Sequence, residues 1–189
     1  MAFVITTPQL GDIDLSAVYT VLGVPGIGVL PSTPTWTQLG QIVTAYDPVQ
    51  GYGEFILLQI PVSTAVPVGT LATWNALSTG KFYYSYVINP TTASTGAPVA
   101  VAINAVTSNA SSVQYTWFQV RGNTSILKTA VKGLPNNAVA LSGTAGRVLF
   151  TQSTGKTVLG ARTLNTTTIT TTTSLVPVVL GVPPVVQGL

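Results

Sequence analysis

The sequence contains neither cysteine nor histidine. That excludes disulfides, thiolate nucleophiles, zinc sites built on those residues, and every catalytic scheme with an imidazole base. Charge is nearly as scarce. Only 6% of the 189 residues are charged, against about 25% in ordinary soluble domains. The acidic side chains are Asp12, Asp14, Asp47 and Glu54; the basic ones are Lys81, Lys128, Lys132, Lys156, Arg121, Arg147 and Arg162. So few charges exclude a charge-swollen disordered chain, a coiled coil and a salt-bridged helical bundle. The net charge is +3 and the pI 9.3. The basic residues stand singly, however, and phosphate recognition needs a cluster, so no nucleic-acid partner is expected.

Long apolar runs are missing too, although the mean hydropathy is +0.50. The longest candidates are residues 18–30 and 175–186. Gly23, Pro25 and Gly26 break the first; Pro177, Gly181, Pro183 and Pro184 break the second. Neither approaches the roughly 18 residues of a membrane span, and no membrane is expected. The first ten residues, MAFVITTPQL, carry no Lys or Arg, and Asp12 and Asp14 follow. That is not the pattern of a signal peptide. The Asn-x-Ser/Thr triplets at Asn109, Asn123 and Asn165 then read as ordinary loop residues.

What is present points to strands. There are 18 Gly, 13 Pro and about thirty Thr. Thr is β-branched and suits a pleated surface. Gly and Pro punctuate the chain at intervals of about 8 to 15 residues, close to the spacing of sandwiches and barrels. Strands are expected over residues 41–47 (QIVTAYD), 54–60 (EFILLQI), 81–89 (KFYYSYVIN), 99–106 (VAVAINAV) and 113–121 (VQYTWFQVR). Gly51-Tyr52-Gly53 reads as a turn, and Gly122-Asn123 as the end of a strand. Shorter strands are expected over 125–131, 138–141, 147–151 and 157–163. Residues 70–78 (TLATWNALS) are the nearest thing to a helix, but lie between Gly69 and Gly80 and read as strand and turn. The Thr-rich residues 166–173 read as an exposed two-faced strand or else as a disordered stretch. Residues 175–180 read as a strand followed by a Pro-rich end.

Residues 1–35 read as an extended arm, and 36–189 as one globular domain. Within the arm, Val21, Leu22, Val24, Ile27, Val29 and Leu30 sit among Gly and Pro too frequent for a regular element. An apolar extended segment needs a surface to lie on. That surface is either the chain's own core or a neighbouring subunit, and these six residues are the candidate partner or intersubunit contacts.

Catalytic chemistry finds little to stand on. Asp47 and Glu54 flank residues 48–53 and would resemble a glycosidase carboxylate pair; as structure, Asp47 opens a turn and Glu54 a strand. Asp12 and Asp14 are too few ligands for a calcium site. Gly23, Gly26 and Gly28 lack the lysine and strand-loop-helix context of a phosphate loop, and Gly155-Lys156-Thr157 lacks its upstream Gly. The aromatics Trp36, Trp74, Trp117, Tyr83, Tyr84, Tyr86, Tyr115 and Phe118 read as core and intersubunit packing rather than as a stacking platform. Nothing points to an enzyme, a cofactor or a metal. A surface this poor in charge suits a protein whose faces are covered by partners.

Residues 40–69, GQIVTAYDPVQGYGEFILLQIPVSTAVPVG, resemble the signature of small bacteriophage head decoration (cement) proteins. The matching residues are Gly40, Asp47, Gly51, Gly53, Glu54, Phe55, Ile56, Ser63, Thr64 and Gly69. Residues 99–103, then Tyr115, Trp117, Phe118, Gln119, Val120 and Gly122, resemble the family's VAVA … YGWFQVxG region, with Thr116 where Gly is common. Residues 143–148, Gly160, Ala161, Arg162 and residues 184–188 are similar to its closing part. The resemblance covers about residues 36–189. It implies a β-sandwich or barrel-like domain on the outside of a phage head, clamping neighbouring major capsid proteins.

The expectation is therefore an all-β sandwich or barrel, jelly-roll-like or β-tulip, with an extended N-terminal arm. Its partners would be the phage major capsid protein and itself, as a homotrimer or else a dimer. It would be made in the host cytoplasm and reside on the outer capsid surface of the virion. A tail- or fibre-associated β protein and a carbohydrate-binding module are the alternatives.

Overall fold

The computed structural model describes residues 4–5, 13–20, 39–76, 84–88, 91–130, 132–151, 154–170 and 175–187. Among these there is no helix. The strands are β1 (Val4–Ile5), β2 (Val18–Tyr19), β3 (Ile42–Asp47), β4 (Gly51–Ile60), β5 (Leu71–Ala76) and β6 (Tyr84–Ile88). They continue as β7 (Val99–Ala102), β8 (Gln114–Leu127), β9 (Ala138–Leu141), β10 (Val148–Leu149), β11 (Thr157–Thr163) and β12 (Leu175–Val186). They join in one antiparallel sheet of order β1-β3-β4-β8-β12-β11-β9-β10, with β2 and β7 also on β8, β5 on β7 and β6 on β5. The all-β expectation is met, with the curled, multiply packed sheet of a sandwich or barrel-like fold.

The organising element is β8. Its first half pairs with β4 on one side and with β2 and β7 on the other; its second half pairs with β12. The first half is buried on both faces. Trp117 packs with Val43, Ala45, Phe55 and Leu57 on one side. Phe118 and Val120 pack with Ile56, Leu58, Ile60, Ala100 and Ala102 on the other. A third cluster lies under β9, β11 and β12, around Ile126, Leu141, Val176, Val178 and Leu180. Strand β7 alternates Val and Ala because its two faces differ: Val99 and Val101 enter this third cluster, the small Ala100 and Ala102 the tighter second one.

Several sequence expectations are corrected. Gly122-Asn123 does not end a strand, and residues 125–131 do not start a new one. The chain passes straight through as β8, with Val120 bulged out of register opposite Glu54 and Phe55. Gly51-Tyr52-Gly53 is not the turn but the start of β4; the turn lies at residues 48–50. Residues 166–170 form no strand beyond a single bridge from Ile169 to Gly133. The Pro-rich end is not an end: β12 runs on through Pro183 and Pro184 to Val186. Pro has no N–H for a ladder. It is tolerated here because pairing to β8 stops at Leu180, and the pairing to β11 shifts register between Leu159 and Ala161.

The region read as an arm is anchored at residues 13–20. Leu15 and Tyr19 are buried in the Trp117 cluster. Asn104 Nδ2 donates to Leu15 O at 2.7 Å and to Thr116 Oγ1 at 3.0 Å, while Thr116 Oγ1 donates to Ala17 O at 2.9 Å. Here the chain's own core supplies the surface. The six candidate contacts, Val21 to Leu30, lie outside the described residues, as do Trp36 and residues 81–83.

Candidate interaction surface

The β3–β4 hairpin separates the two carboxylates that a glycosidase reading would pair. Residues opposite each other on neighbouring strands share a face. Asp47 is opposite Gly51, and Thr44 is opposite Glu54. Asp47 therefore shares the buried face of Val43 and Ala45, and Glu54 the outward face of Thr44 and Tyr46. Asp47 is consumed by the turn: its Oδ1 accepts from Val49 N at 2.6 Å and Gln50 N at 2.9 Å. Glu54 accepts from Arg121 Nη1 at 3.1 Å across the β4–β8 ladder. Both partners are well exposed, so the ion pair contributes only about 0.2–1 kcal/mol. The double variant Asp47→Asn with Glu54→Gln should fold normally, because Asn keeps the turn acceptor. Asp47→Ala should lose about 1–2 kcal/mol by stranding two turn N–H groups. Urea titration of both variants checks this ordering.

The remaining candidates sort by burial. Asp14 accepts from Ser16 N at 2.8 Å and caps its own turn. Among the described residues, no three His, Cys, Asp or Glu side chains converge on a metal-sized site. Trp117 and Phe118 are fully buried and Tyr115 packs beside them, so these aromatics are core. Burial pushes the Tyr19 and Tyr115 phenols up from their ordinary value. Burial also pulls the Lys128 ammonium down; its Nζ donates to Thr170 O at 2.8 Å and Thr129 O at 3.3 Å, tying residues 165–170 to the end of β8. These shifts report desolvation rather than an acid–base pair.

A surface that the sequence reading missed is the outward face of β3, β4, β8, β12 and β11. Register links it continuously: Tyr46 to Tyr52, Thr44 to Glu54, Glu54 to Arg121, Asn123 to Val179, and Val179 to Arg162. Its only charges among the described residues are Glu54, Arg121 and Arg162. Ile42, Tyr46, Tyr52 and Leu175 stand exposed on it. The signal was available in β3, where Ile42 and Tyr46 occupy the alternate positions to the buried Val43, Ala45 and Asp47. Beneath it, Gln119 fills the space left by Gly53 and donates from Nε2 to Arg121 O at 3.0 Å and Asn123 O at 2.9 Å, which fixes the bulge that carries Arg121.

No protein-family model matches this chain, and no curated protein matches it.

Proposed function

We propose that this chain is a structural protein of a bacteriophage particle: a decoration or cement protein that binds the outer surface of the head and bridges neighbouring major capsid proteins as a homo-oligomer, a trimer in the first instance. The observation that carries the reading is the five-stranded outward face, broad and nearly uncharged, with exposed Tyr, Ile and Leu. Interfaces are depleted in Lys, Glu and Asp and enriched in aromatics and Arg. The first blocks that resemble the decoration family fall mainly on β3, β4, β7 and β8, strands that build this face and the core behind it, and the closing blocks reach β10, β11 and β12. A rigid sheet and a repeated symmetric contact are what a clamp on a shell requires.

In this reading Val21, Leu22, Val24, Ile27, Val29 and Leu30 are the intersubunit contacts. Truncating the arm would also remove Leu15 and Tyr19 from the core, so substitution is the cleaner test. Replacing the six apolar residues with Ser or Asn should leave the melting temperature of the domain within about 4 °C and weaken cosedimentation with undecorated shells at least about tenfold. Binding by the intact protein should change little between low and moderate salt, since few charges are present to be screened. A stable monomer by light scattering that never pellets with shells defeats the proposal.

A further inference from the structure

Tyr46 and Tyr52 face each other across the β3–β4 hairpin with ring centroids 5.0 Å apart and planes tilted by 56°. A cross-strand aromatic pair helps hold a hairpin. That accounts for their contact but not for the groove that Tyr52 walls. Tyr52 is 67% exposed, and beside it lies a groove of about 390 Å³ that Thr44, Glu54, Arg121 and Val179 also line. The volume falls within the roughly 300–1,000 Å³ of small-molecule sites. The backbone of Gly53 and Gly122 forms part of the lining, so the groove reaches down to the sheet itself.

The chemistry of the walls is selective. One is an aromatic ring. The other is an ion pair joined by one contact, Arg121 Nη1 to Glu54 Oε1, which leaves further guanidinium N–H groups and a second carboxylate oxygen for other partners. An anionic ligand would meet Glu54 and a cationic one Arg121. A purely apolar ligand would strip water from both without replacing its hydrogen bonds. A ligand with an apolar C–H face and neighbouring hydroxyls satisfies every wall at once. Tyr presents its flat, rigid face at little entropic cost, and charge-assisted hydrogen bonds from a donor and an acceptor side by side fit vicinal hydroxyls.

We propose that this groove is a saccharide subsite for a neutral hexopyranose, with Tyr52 stacked on the sugar's C–H face, Tyr46 bracing that ring, and Glu54 and Arg121 holding adjacent hydroxyls. The site lies on rigid strands and is separate from the aromatics buried around Trp117. It takes part of the outward face that the capsid-binding proposal also uses, so a shell seated on Tyr52, Glu54 and Arg121 and a saccharide in the groove exclude each other, and the experiment below separates the two.

The test is affinity electrophoresis of the full chain through gels containing dextran, mannan, galactan or hydroxyethyl cellulose, with melting curves for every variant. At least one polysaccharide should retard the wild type. Tyr52→Ala should weaken that retardation at least tenfold, and Arg121→Met should act in the same direction. Tyr52→Phe should retain it, because stacking rather than the hydroxyl is used. Val49→Ser, on the exposed turn of the same hairpin, should migrate like the wild type. Unchanged wild-type mobility in all four gels overturns the proposal, as does a folded Tyr52→Ala that is retarded like the wild type. Loss of shell pelleting by Tyr52→Ala, with no polysaccharide retarding the wild type, assigns the face to a protein partner instead and equally overturns it.

Discussion

Replacing Trp117 with Ala is expected to destabilise the protein by about 3–5 kcal/mol and to lower its melting temperature by about 6–20 °C. Trp117 is fully buried in the first half of β8. It packs against β3, β4 and the anchored residues Leu15 and Tyr19 at once, so its removal leaves a cavity between elements that are far apart in sequence. Among the described residues, the backbone around Leu15 and Tyr19 is held by two paired residues of β2 and the Asn104 and Thr116 bonds, and this segment should loosen first. Its indole N–H makes no well-formed hydrogen bond, although the ring interacts favourably with the Tyr19 oxygen. Trp117→Phe should therefore recover most of the lost stability. The control is Val49→Ala, at a turn position 90% exposed, which should stay within about 0.5 kcal/mol of wild type. Circular dichroism melts of the three variants decide it; a wild-type-like Trp117→Ala would mean that the site is not core.

Strand positions were legible where one physical signal dominated. Residues 42–47 alternate because one face is buried, and residues 55–58 are an unbroken apolar run because β4 lies between two clusters. The interruptions were harder to read. Gly and Pro mark turns in most sequences, yet here Gly53, Gly122, Pro177, Pro183 and Pro184 all lie within strands. The reasons are tertiary: the Gln119 side chain occupies the space beneath Gly53, and the register shift of β11 on β12 accommodates the Pro pair. The outward face was missed for a related reason. Tyr52, Glu54 and Arg121 are unremarkable singly, and only the β4–β8 register, shifted by the bulge at Val120, sets them side by side.

Gly122→Ala is expected to cost at least about 3 kcal/mol, from backbone strain and overpacking together. Gly122 has φ +96°, a conformation that L side chains rarely adopt. A Cβ there would meet the backbone carbonyl oxygen of Tyr52 and approach Gly53 Cα to 3.0 Å. Both are main-chain atoms of β4 and cannot rotate away, so strand separation must change at the point where β8 leaves β4 for β12. Gly51→Ala separates the two contributions. Its φ is +86° but nothing lies within 4 Å of the added Cβ, so only the strain of about 1–3 kcal/mol should appear. Gly143→Ala, with open space and no positive φ, should be close to neutral. Urea midpoints for the series should therefore fall in the order Gly143, Gly51, Gly122. Opening the β4–β8 ladder at Gly122 also separates Glu54 from Arg121, so that variant should lose the groove's ligand while Gly51→Ala keeps it. Equal stability of the Gly122 and Gly143 variants would show that β8 does not turn through Gly122 on its way from β4 to β12.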